Sequence, residues 1–448
     1  MNPDLIRAMA QCNPDEALPA DDPRYVDMDR IRGISVHRNI LRKLATADHQ
    51  CYCHVALAGH RGSGKSTELN RLIEKAQQDG FHPLYAEVTE RVDPNEVVYS
   101  DLFRLMAEML DEEFGGSPAM AKIGETVKDW FREAIEIDEE TIEKTFRLSG
   151  EAAIGGSASA GGEVGVAGVA KLSGKTGLGK LLAAIAFGRK TTEIEKTQYR
   201  AKLERYPRQL RDNVNLMLDV AQQEVKDRCP KGILFVLDNI DRYPPAMVNE
   251  ALVRNAGLFQ GLAAHVIFTA PISLLYNPVE EQIQDRFTTE TLPMAPVKTR
   301  SGQEAPEVIA AMAEAVCKRV PDSLFATPDL VKRFVLSSGG STRDMLRLLQ
   351  RALLEADDRI IEENVARAEA IVGAEFSRPV TKAQYEILAR VFLEKSVDPD
   401  ETGRWMLFRR QVLEYNGERW VDVHPLLQLS TLFQDALAAE RRSRNLPS

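Results

Sequence analysis

His54-Val55-Ala56-Leu57-Ala58-Gly59-His60-Arg61-Gly62-Ser63-Gly64-Lys65-Ser66 is a short apolar run that breaks into a glycine-rich loop. From Gly59 onward it fits G-x-x-x-x-G-K-S/T, the spacing that cradles a phosphate chain. The residue types follow from that task. Gly62 and Gly64, with Ser63 between them, leave room for backbone N–H groups to turn inward where a Cβ would intrude. Lys65 has the reach and charge for β- and γ-phosphates, and the Ser66 hydroxyl suits Mg²⁺. Such a loop needs a strand before it and a helix after it. Val55 to Ala58 supplies the strand, and from Thr67 to Gln78 the residues Leu69, Leu72, Ile73 and Ala76 recur at helical spacing. The positive end of that helix then faces the phosphates. A nucleoside triphosphate is the expected ligand, bound by Gly59, Gly62, Ser63, Gly64, Lys65, Ser66 and Thr67.

The rest of the chain sets bounds on that reading. With 448 residues, 44% of them hydrophobic and 28% charged, it is expected to form several globular domains. A net charge of −10 argues against broad non-specific coating of DNA, while leaving room for a local basic face. Five cysteines make no disulfide framework, and Cys51-Tyr52-Cys53-His54 has no second ligand pair, so buried thiols are expected there rather than a metal. The opening MNPDLIRAMAQCNPDE has neither the basic nor the apolar region of a signal peptide, and a cytoplasmic location is expected.

In chain order, residues 1–30 are polar and proline-punctuated and read as an arm. A helical pattern follows through Ile40, Leu41 and Leu44, and His82 to Val88 reads as a second core strand. Gly232 to Asp238 (GILFVLD) is a continuous apolar run ending in an acid, as a buried parallel strand would be. Asp238 is expected to hold the Mg²⁺ shell. Asp241 is placed to orient and activate the attacking water, with a helix cap or an ion pair to Arg242 as the alternative. His265 to Thr269 is a further strand with Thr269 at its end, and Arg286-Phe287 precedes another short strand. The long separation of Ser66 from Asp238 implies an insertion at about 116–205. Within it, residues 149–173 alternate small apolar and polar positions, which fits a hairpin or a glycine-rich linker. Residues 177–190 form an apolar segment too short to span a bilayer, and a buried helix is favoured over a membrane-surface one.

Beyond Pro306 the pattern is helical. Gly339-Gly340-Ser341-Thr342-Arg343 opens a helix with Met345, Leu348, Leu349 and Ala352 on its apolar face. Residues 376–448 read helix, helix, hairpin, with Asn416-Gly417 as the turn, which is the outline of a winged helix. Arg404, Arg409 and Arg410 in that unit would face either a phosphate backbone or a neighbouring domain.

GHRGSGKST and ILFVLDNIDR together resemble the AAA+-related P-loop ATPases, on the side of the STAND signalling and origin-binding-type ATPases. The D-x-x-D-R of Asp238, Asp241 and Arg242 is also similar to that of the KAP ATPases, whose insertion carries membrane segments. The resemblance implies an α/β fold with a parallel sheet of strand order 5-1-4-3-2, a helical lid and a C-terminal winged helix. It implies ATP and Mg²⁺ as ligands. It places Arg32, beside Gly33, against the adenine, Thr269 at sensor 1, Arg343 at sensor 2 in the lid, and Arg286 as an arginine finger acting on a neighbouring subunit. The chain departs from the pattern at Asp238-Asn239, where the usual second acid is replaced.

These readings divide the chain into an arm (1–30), a P-loop ATPase core (31–300), a lid (301–375) and a winged helix (376–448). The expected function is an ATP-driven oligomeric switch or assembly platform of the kind found in bacterial defence and signalling, acting with a protein partner. Two alternatives stand beside it: a remodeller or loader that grips duplex DNA through the winged helix, and a membrane-acting effector that deploys the glycine-rich insertion.

Overall fold

Five strands pair in parallel: β1 (His54–Gly59), β2 (Phe81–Glu87), β3 (Gly232–Asp238), β4 (His265–Pro271) and β5 (Thr288–Leu292). Their order is β2-β3-β4-β1-β5, which read from the other edge is 5-1-4-3-2, as expected. The structure is a computed structural model that describes residues 2–46, 52–135, 177–179, 181–182, 200–277, 283–415 and 420–446.

The sheet is parallel because its strands bury both faces. Along β3, Ile233, Phe235 and Leu237 join Leu102 and Phe103 from the helix Tyr99–Phe114 and Met217 from the helix Pro207–Val225. Leu234 and Val236, alternating with them, meet Ile40, Leu44, Leu69 and Leu72 on the opposite face. That is the period-two division of a strand covered by helices on both sides. All five strands point their C-terminal ends to one edge, so Gly59, Glu87, Asp238 and Pro271 emerge together.

The described part of the expected insertion extends this core. The helix Pro118–Ile135 buries Met120, Val127, Phe131 and Ile135 with Leu178, Leu181, Leu182 and Leu203. Residues 177–179 and 181–182 are helical, in line with the buried-helix reading of that apolar segment. The glycine-rich stretch 149–173 lies outside the described residues. Among the described residues, no helix is long and apolar enough to cross a membrane.

A second core joins the rest. The helices Pro306–Cys317, Asp329–Ser337, Thr342–Glu355 and Glu362–Ser377 share one apolar cluster with Lys382–Glu394, Glu401–Phe408 and Thr431–Ser443. Strands β6 (Val412–Glu414) and β7 (Val421–Val423) pair antiparallel, and the expected Asn416-Gly417 turn lies outside the described residues. The expected polar arm begins with a helix, Pro3–Gln11, because Leu5 and Ala8 recur on one face and Asn2 caps its start. Leu5, Ala8 and Cys12 are buried in the same cluster as Met345 and Leu349 of the helix Thr342–Glu355.

Candidate nucleotide site

The loop between β1 and the helix Lys65–Gln78 is held in a conformation that requires its glycines. Gly62 has φ +82° and Gly64 φ +97°, a left-handed region that costs other residues about 1–2 kcal/mol. Gly62 has a second constraint. A Cβ there would stand 2.6 Å from the Arg343 Cβ and 2.9 Å from the Ser341 Oγ, so the helix Thr342–Glu355 rests directly on the loop. Gly62, Gly64, Lys65, Ser66, Thr67, Asp241 and Arg343 line one cleft of about 100 Å³.

Below the loop the charges are paired. The Lys65 Nζ lies 3.0 Å from the Asp241 Oδ2 and donates to the carbonyls of Gly59 and His60 at 3.0 and 2.8 Å. Burial pushes the Asp241 carboxyl up, but Lys65, Arg61 and a hydrogen bond from Thr269 outweigh it and hold the group low. The Thr269 hydroxyl also accepts from the Ile240 amide at 3.1 Å, so the end of β4 is tied to the turn after β3. Asp238 accepts from the Ser66 hydroxyl and from the Asn239 amide. Burial, followed by the charge of Asp241, raises its carboxyl above the usual range. The Ser66 hydroxyl and the Asp238 carboxylate thus form a hard-oxygen pair of the kind Mg²⁺ takes, in hydrogen-bond contact with each other at the mouth of the loop.

Several of the expected side chains are engaged within the protein. Arg32 is buried beside the loop, where its Nη2 donates to the Ser63 carbonyl at 2.6 Å and feels the charge of Glu68. Asp241, expected beside an attacking water, is committed to Lys65 because two buried opposite charges 3.0 Å apart neutralise one another. Arg410, one of the basic residues offered to a phosphate backbone, points inward onto the buried Asp344, with both carboxylate oxygens 3.0 Å from its Nη1. Arg404 likewise donates to Asn277, so two of the three arginines join this unit to the rest of the chain.

Arg286 is exposed and lies away from the loop. It lines a larger cavity of about 940 Å³ between residues 245–254 and the helix Glu401–Phe408. Lys65, Ser66, Asp241 and Arg343 gather instead at the smaller cleft.

Sequence reasoning missed several contacts. The His60 Nε2 accepts from the Glu414 amide at 2.8 Å, and the Arg61 guanidinium lies 4.7 Å from the Phe408 ring, so the loop's variable positions hold the C-terminal unit. Pro14 to Ala17 line the cleft, with Asp15 3.1 Å from Arg343 and the Pro14 carbonyl accepting from its Nε. Glu87, at the end of β2, lines it too. The one signal for Glu87 was its place as the acid closing a strand, the same place that marked Asp238.

No family model matches the chain, and no curated protein matches it. Solved structures do. The Walker-type ATPase PABY2304 of Pyrococcus abyssi is 12% identical, with a TM-score of 0.40 over 94% of this chain and 99% of that one. Cdc6p from Pyrobaculum aerophilum is 10% identical, with a TM-score of 0.39 over 96% and 98%. The Orc1 protein of Aeropyrum pernix, solved in complex with DNA, is 13% identical, with a TM-score of 0.37 over 98% of each chain.

Proposed function

We propose that this chain is an AAA+-type P-loop ATPase that works as an oligomeric, nucleotide-driven switch. The observation that carries the reading is the convergence at one sheet edge. Lys65, the Ser66–Asp238 pair and Thr269 come together there, under a lid whose Arg343 backbone rests on Gly62. Lys65 takes the terminal phosphates, and the glycine loop offers its amides to the chain of charge. Ser66 and Asp238 would hold Mg²⁺, which would supply positive charge against the charge that develops on the phosphates. Thr269 serves as sensor 1 and Arg343 as sensor 2, reporting on the γ-phosphate from sheet and lid.

In this proposal residues 31–300 form the core, 301–375 the lid and 376–448 a winged helix that acts as a coupling element. The inward commitments of Arg404 and Arg410, and the hold of His60 on Glu414, favour transmission of loop movement to the C-terminal unit over DNA contact by those arginines. Assembly follows from Arg286, exposed and distant from its own loop, as the residue offered to a neighbouring subunit's nucleotide. A signalling or defence setting with a protein partner is the role such a switch would serve.

The test is ATPase rate and molecular size measured together, on separate variants and on mixtures. The Arg286→Ala chain and the double variant Lys65→Met with Asp241→Asn, each first shown to be folded, are each expected to be inactive, and mixing them should restore activity by pairing a good loop with a good arginine. A mixture no more active than its components removes the shared site.

A further inference from the structure

Asp241 is tied to Lys65, Asn239 stands where the usual second acid of the resembled ATPases would be, and the arm's acids in the cleft are paired, Asp15 with Arg343 and Glu16 with Arg24, so the attacking water's proton needs another acceptor among the described residues. The end of β2 supplies one. In the parallel ladder Glu87 pairs in register with Asp238, so the two side chains leave the same sheet edge one strand apart. Glu87 lines the cleft that contains Lys65, Ser66 and Thr67. The Asn239 Nδ2 donates to the Glu87 Oε2 at 2.6 Å. Asn239 has φ +65°, a left-handed conformation that asparagine tolerates better than most residues, and in it the side-chain amide meets the carboxylate. The Tyr85 hydroxyl, 3.3 Å from the Asp238 Oδ2 and 3.5 Å from the Glu87 Oε1, lies between the two acids.

We propose, resting on the ATPase reading above, that Glu87 is the carboxylate that orients and deprotonates the attacking water, with Asn239 as its positioning residue. The division of labour between the acids supports it. Asp241 is held low by Lys65 against the effect of burial, so it is a poor proton acceptor. Glu87 lines the same cleft with the neutral Asn239 amide and Tyr85 hydroxyl as hydrogen-bond partners in place of a lysine, so it is the better-placed base. Its Oε2 accepts from Asn239 and its Oε1 from Tyr85 at the longer distance of 3.5 Å, and the second lone pair of Oε1 is the one offered to water. In the step, the water oxygen bonds to the γ-phosphorus as the bond from that phosphorus to the β–γ bridging oxygen breaks. The bridging oxygen keeps the electron pair and leaves on ADP. The water proton passes to the Glu87 Oε1, and inorganic phosphate is formed.

The experiment compares the full-length wild type with Glu87→Gln, Glu87→Asp, Asn239→Ala and Asp241→Asn, reading single-turnover hydrolysis and ATP affinity separately. General-base removal is expected to slow turnover by about 10²-fold or more in Glu87→Gln, with the ATP dissociation constant unchanged within about threefold. The variant should retain intact ATP through gel filtration. Glu87→Asp should recover part of the rate, and Asn239→Ala should lower kcat about tenfold with KM held. Hydrolysis by Glu87→Gln within about threefold of wild type overturns the proposal, as does loss of ATP binding together with turnover, which would mark a structural role. A wild type that binds ATP without hydrolysing it overturns the base while leaving the binding site intact. A wild type that fails to bind ATP overturns the ATPase reading itself.

Discussion

Gly62 and Arg343 are in backbone contact: the Arg343 amide donates to the Gly62 carbonyl at 3.4 Å, and no side chain fits between them. In the proposal above this contact is where the glycine loop and the lid meet, and it is the place through which movement of one would reach the other.

Gly62→Ala is expected to separate them. The φ of +82° costs an alanine about 1–2 kcal/mol, which corresponds to roughly tenfold in affinity if the loop loses its phosphate-ready shape. The added methyl also pushes on Arg343. Hydrogen exchange should rise in both 59–66 and 339–346, and ATP affinity should fall. Exchange that rises in the loop alone would show that the lid contact is incidental.

Asp15 sets the position of Arg343 from the arm side. The pair is 3.1 Å apart but Asp15 is well exposed, so its strength is that of a surface ion pair, about 0–1 kcal/mol. A γ-phosphate would compete for the same guanidinium. Asp15→Asn is expected to tighten ATP binding about two- to fivefold by calorimetry. Weaker binding would instead make the arm part of the nucleotide's own contact surface.

Acid should loosen the joint between the loop and the C-terminal hairpin. Burial, then the charges of Lys65 and Arg410, pushes His60 down to about 3, so it stays neutral and accepts from the Glu414 amide. Between its unfolded value near 6.5 and that folded value, the unfolded chain binds a proton that the folded chain excludes. Stability from this group is therefore full above about pH 6.5 and falls as the pH drops, by about 1.4 kcal/mol per unit. His60→Gln keeps an acceptor at that place and removes the titration. Its acid unfolding midpoint should lie below that of wild type, and an unchanged midpoint would place the acid sensitivity elsewhere, for example at the buried His54.

Much of this was legible in the sequence because it is local. The apolar run from Val55 to Ala58, the glycine spacing after it and the acid closing Gly232 to Asp238 each announce a strand end with a task. The sheet order followed from resemblance to a family with that order of motifs. What was not legible depends on register and on long-range packing. Glu87 gains its meaning from standing opposite Asp238, which no spacing between residues 87 and 238 reveals. The helix Pro3–Gln11 is short and flanked by prolines, so its apolar face was visible only once the lid covered it. Arg32 has the charge for a nucleotide and Asp241 the carboxylate for an attacking water, yet each is claimed first by a buried protein partner, Ser63 and Lys65.

That last pairing decides how the central claim is best tested. Removing Lys65 alone strands the buried Asp241 carboxylate, a loss of about 3–5 kcal/mol that could unfold the chain and mimic a binding defect. The direct measurement is calorimetric titration of ATP with Mg²⁺ into three chains: wild type, Asp241→Asn, and the double variant Lys65→Met with Asp241→Asn, each first shown to be folded by thermal melting. The account predicts binding by wild type, equal or tighter binding by Asp241→Asn because Lys65 is released to the phosphates, and at least a tenfold loss in the double variant. Wild-type affinity in the double variant would contradict it.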